Sequence, residues 1–134
     1  MAAYRALPLA IVAGLATGAA IIGLMEATVR YIPDASSWKL TVSTLLISLS
    51  PICPGFVAGY VASRSGFAVG ATASVLTSAL NAVYVAMIET QSIMERLDGP
   101  AIPEELTFAV AALIVGGICG IAGAAVARER WNAF

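Results

Sequence analysis

Four long apolar runs, none holding a Lys, Arg, Asp or Glu, alternate with short polar connections along the chain. They cover Leu7–Met25, Leu40–Ala62, Phe67–Ile88 and Leu106–Ala127. An α-helix rises ~1.5 Å per residue and the hydrocarbon core of a bilayer is ~30 Å thick, so ~20 apolar residues cross it. Each run meets that length. The pattern predicts an all-α fold, a four-helix transmembrane bundle forming one integral membrane domain over residues 1–134. The first run follows Arg5, as a signal peptide's would, but it continues apolar to Met25, which is long for such a segment. It is read as a retained span.

Within the runs, small residues recur at four-residue spacing. Span one carries Gly14 and Gly18, span two Gly55 and Gly59, span four Gly116 and Gly120. Span three repeats the spacing with Gly66, Gly70, Ser74 and Ser78. Two glycines one turn apart share a helix face and let a second backbone approach closely. Such faces serve packing inside one bundle or contact with another subunit, and the spacing alone leaves both open.

Span two also holds Ser50-Pro51-Ile52-Cys53-Pro54-Gly55. Each proline removes an N–H and clashes with the carbonyl four residues back, so a kink or break is expected at Pro51, Pro54 and Gly55. Thr17, Ser48, Ser50, Thr77, Ser78 and Asn81 fall at similar depth near the bilayer centre. Beside a broken helix they form a candidate midplane polar site, as in transporters built on discontinuous helices. Alternatively they hydrogen-bond between helices and satisfy the freed carbonyls.

Shifting the chain by 63 to 64 residues aligns Glu26 with Glu89, Ala58-Gly59 with Ala122-Gly123 and Arg64 with Arg128. An internal duplication would make two parallel hairpins related by an axis along the membrane normal. Apolar, glycine-rich segments of equal length also align without common descent.

Composition narrows the chemistry. The chain is 60% hydrophobic and 11% charged, with net charge −1; a soluble domain carries about 25% charged residues. Nothing in it resembles a basic nucleic-acid footprint. It lacks histidine, the usual general base, metal ligand and haem ligand of such proteins. No cofactor, no metal and no enzyme chemistry are expected. Cys53 and Cys119 fall inside spans and are read as buried free thiols. Glu26 and Glu89 sit at span ends, so a proton relay across the core is not expected.

Four basic residues (Arg5, Arg64, Arg128, Arg130) would lie on the side of the termini, against Arg30, Lys39 and Arg96 on the other. That distribution predicts a multi-pass protein of a bacterial inner membrane with both termini in the cytoplasm. Tyr4, Tyr31, Trp38, Tyr60 and Trp131 lie near span ends, where amphipathic rings settle. The connection 89–105 collects five acids; Gln91–Leu97 suits a short interfacial helix, and Pro103-Glu104-Glu105 a helix start.

The stretch Pro54-Gly55, Ala58-Gly59-Tyr60, Ser65-Gly66 and Gly70 resembles a pattern in small four-span bacterial membrane proteins of unknown function. The resemblance implies a four-span fold and brings no catalytic residue. Two roles follow from the sequence as expectations. One is an accessory, assembly or scaffold subunit acting through glycine-rich helix packing. The other is a small homo-oligomeric transporter or channel using the midplane residues. The partners expected are the lipid bilayer with either further copies or other membrane subunits.

Overall fold

Four apolar helices form the molecule. The computed structural model of the chain describes residues 2–33, 36–88 and 102–132. Helix α1 is Ala2–Tyr31, α2 Ser37–Ala62, α3 Gly66–Ile88 and α4 Ile102–Asn132. Each is long and apolar enough to cross a membrane, over Leu7–Tyr31, Ser37–Ala62, Gly66–Val85 and Leu106–Arg130. Most large apolar side chains point outward: Leu9, Leu24, Leu40, Phe108 and Ile118 are all more than half exposed. In water such a surface would aggregate; in lipid it is the solvated face.

The core is correspondingly made of small residues. Ala10, Ala58, Ala73, Ala124 and Ala127 are buried, with Ser74 and Thr77 the buried hydroxyls in α3. Small side chains suit a bundle in which lipid tails are as apolar as leucine, because close backbone approach supplies the attraction. The interhelix contacts form two triangles, α1–α2–α3 and α2–α3–α4, that share the α2–α3 edge. Thus α1 and α4 flank a central pair on opposite sides. A two-fold axis exchanging the hairpins would make α1 meet α4 as α2 meets α3. Among the described residues that contact is marginal at most, so the hairpins lack half of what a symmetric duplication requires.

Connections explain the order. Three residues, Ser63–Ser65, reverse the chain between α2 and α3. Ser63 closes α2 in the left-handed conformation at φ 51°, its N–H donating to the Gly59 carbonyl at 3.0 Å. Ser65 is also left-handed at φ 56°. At the opposite end, the Lys39 ammonium donates to the Val29 carbonyl at 3.0 Å and ties α2 back to α1. Pro103 lies in the first turn of α4, where a missing N–H costs no helical bond. Residues 89–101, with the expected interfacial helix 91–97, lie outside the described residues, as do the side chains of Tyr4, Glu104, Glu105 and Trp131.

Burial is uneven along the membrane normal. From Gly66 to Thr77, α3 has seven buried positions; from Ser78 to Val85 it has none. In α4 the buried positions run from Ala112 to Ala127, and residues 106–111 are open or half-open. The bundle is tight at the Ser63–Ser65 end and looser at the other.

Candidate functional site

The segment Pro51–Gly59 of α2 is the meeting place of the other three helices. α2 stays helical from Ser37 to Ala62, so the chain passes Pro51 and Pro54 without leaving the helix. Each proline deletes one bond of the ladder while the flanking bonds hold, and packing on three sides supports the remainder. Pro54 itself is almost wholly buried.

Glycine contacts define the geometry. A Cβ on Gly55 would overlap the backbone of Gly116, and one on Gly59 the backbone of Gly120. One on Gly70 would strike the Gly116 carbonyl and lie 3.0 Å from the Gly55 carbonyl oxygen. Gly14 of α1 sits against the Pro54 carbonyl, where a Cβ would stand 2.8 Å from the oxygen, and beside Ala73 and Ala58. In each case the glycine Cα–H points at a carbonyl of a neighbouring helix, a weak but recurrent attraction at helix interfaces. Gly14, Gly18, Gly55, Gly59, Gly116 and Gly120 are all buried. Their faces pack against neighbouring helices inside the bundle.

The midplane polar residues differ in burial. Thr77 is fully buried and packs against Gly18, its hydroxyl donating to the Ala73 carbonyl at 2.9 Å. Thr17 is half-buried and donates to Ala13 at 2.9 Å. Ser48 donates to Thr44 at 2.9 Å and is exposed on the outside of α2. Its hydroxyl is satisfied within its own helix and can face lipid. Ser50, Ser78 and Asn81 are half-buried. The hydroxyl that does bridge helices is Ser74, which donates to the Pro51 carbonyl at 2.8 Å and lies against Gly116. The spacing Gly66–Gly70–Ser74 signalled its face, but small size hid its polar role. The freed carbonyls of Ile47 and Ser50 are not the ones it serves.

Two features lie away from this hub. The Arg30 guanidinium pairs through Nε with Glu26 one turn below, and Tyr84 of α3 stands beside the same carboxylate. An apolar groove of about 640 Å³ runs between α1 and α3, walled by Leu15, Ala16 and Ala19 on one side and Leu76, Ala79 and Val83 on the other. Every side chain lining it is aliphatic. The thiols of Cys53 and Cys119 are free and half-buried. Among the described residues no cluster of Cys, Asp or Glu could hold a metal ion.

The chain matches no family model, no curated protein and no solved structure.

Proposed function

We propose that this integral membrane protein is a non-enzymatic accessory or assembly subunit, working through its outer surface rather than through a pathway inside one chain. One observation supports this reading above the others. The glycine faces bring backbones together at the bundle centre, and Thr17, Ser48 and Thr77 each spend their hydroxyl on a carbonyl of their own helix. The surface left for recognition is the lipid-facing exterior and the two ends. Arg64, Arg128 and Arg130 cluster at the end of the Ser63–Ser65 turn, which favours cytoplasmic termini in a bacterial inner membrane. Native mass spectrometry after gentle extraction tests the reading. A stoichiometric complex with other membrane proteins is the expected result; a chain that always extracts alone overturns it.

A homo-oligomeric permeation unit is the second reading, and Asn81 is what favours it. Its half-buried carboxamide hydrogen-bonds to no described residue, although it lies in an apolar span. Between subunits it could meet a permeating solute. Replacing Asn81 by Leu then abolishes flux in proteoliposomes while assembly persists; undiminished flux removes Asn81 from any pathway.

A further inference from the structure

The geometry points to a specific phospholipid site on the α1–α3 face, with one acyl chain in the apolar groove and a zwitterionic phosphoethanolamine headgroup on the Glu26–Arg30–Tyr84 cluster. The two parts belong to one surface. On α1, Ala16, Ala19, Glu26 and Arg30 fall within one side of the helix at 100° per residue. On α3, Val83 walls the groove and the next residue is Tyr84, beside Glu26. The cluster therefore lies beyond the Val83 end of the groove. Ten residues separate Ala16 from Glu26, about 15 Å along the axis, which is the depth of one leaflet of a ~30 Å core.

Charge complementarity selects the headgroup. Arg30 uses only Nε on Glu26, and its side chain is 68% exposed, so its two terminal amino groups can take a phosphate in the forked geometry arginine favours. The Glu26 carboxylate accepts from Arg30, and a carboxylate has about four acceptor positions. A primary ammonium can donate to those that remain. Phosphatidylcholine has the charge without the N–H donors, and phosphatidylglycerol lacks the cation. The site holds whether or not a partner subunit exists.

Native mass spectrometry of the full-length protein in a mild detergent, titrated with three phospholipids of identical acyl chains, tests this. Phosphatidylethanolamine is expected to bind about tenfold more tightly than phosphatidylcholine or phosphatidylglycerol, the scale of one charge-assisted hydrogen bond. Arg30→Ala and Glu26→Gln should each erase that preference. Ala16→Phe and Ala79→Phe fill the groove from opposite walls and should weaken all three lipids, whereas Ala111→Phe on the exposed face of α4 should not. Equal binding of the three headgroups by the unaltered protein overturns the proposal. So does binding that survives both groove-filling variants, or a dimer that they dissolve, which would give the groove to a second copy.

Discussion

Ser63 and Ser65 hold positive φ without being glycine. An L-residue in that conformation carries a penalty of roughly 1–2 kcal/mol, part of which returns when glycine widens the unfolded ensemble. Ser63→Gly is expected to stabilise the bundle by about 0.5–1 kcal/mol, read as a higher midpoint in detergent unfolding. Ser74→Ala tests the opposite sign. Losing the bond to the Pro51 carbonyl should cost about 1 kcal/mol, since hydrogen bonds between membrane helices average below that and reach somewhat above it. The sequence shows that these serines exist but not what they do. A left-handed serine and a bridging one differ only in backbone conformation and in what stands opposite.

Between elements, the glycines separate cleanly by what faces them. Gly59→Ala or Gly120→Ala drives a methyl into the opposing backbone, and overpacking of that kind costs about 1–3 kcal/mol. Gly23 has nothing within 4 Å of the position a Cβ would take. Gly23→Ala should therefore be neutral or stabilise by up to ~1 kcal/mol through helix propensity. Unfolding of the set in one detergent would separate the two groups. The double variant Gly55→Ala, Gly59→Ala should cost less than the sum, because both methyls meet the α4 backbone and one separation of α2 from α4 relieves both clashes. Spans, their lengths and the presence of glycine faces were legible in the chain. Which face meets which was not, because Gly14, Gly55 and Gly116 carry the same local signal. Likewise Pro51 and Pro54 announce a disrupted ladder, while the tertiary packing that keeps α2 helical through them is written in other helices.

At the scale of the whole bundle, burial concentrates toward the Ser63–Ser65 end. Local opening follows local packing, so amide exchange should be slowest across 66–77 and 112–127 and faster across 78–85 and 106–111. Uniform exchange along α3 would contradict this. The midplane polar residues illustrate the limit of depth as a guide to burial. Ser48 shares its depth with Thr77, yet one faces out and the other is sealed, because rotation about the helix axis is fixed by neighbours that residue spacing does not name. The pairing of Gly59 with Gly120 also carries a temporal consequence. These partners are sixty-one positions apart, and translation at ~5–20 residues per second makes the second roughly 3–12 s after the first. For those seconds the nascent second helix holds its closest-packing face toward lipid, open to whichever helix reaches it before its own.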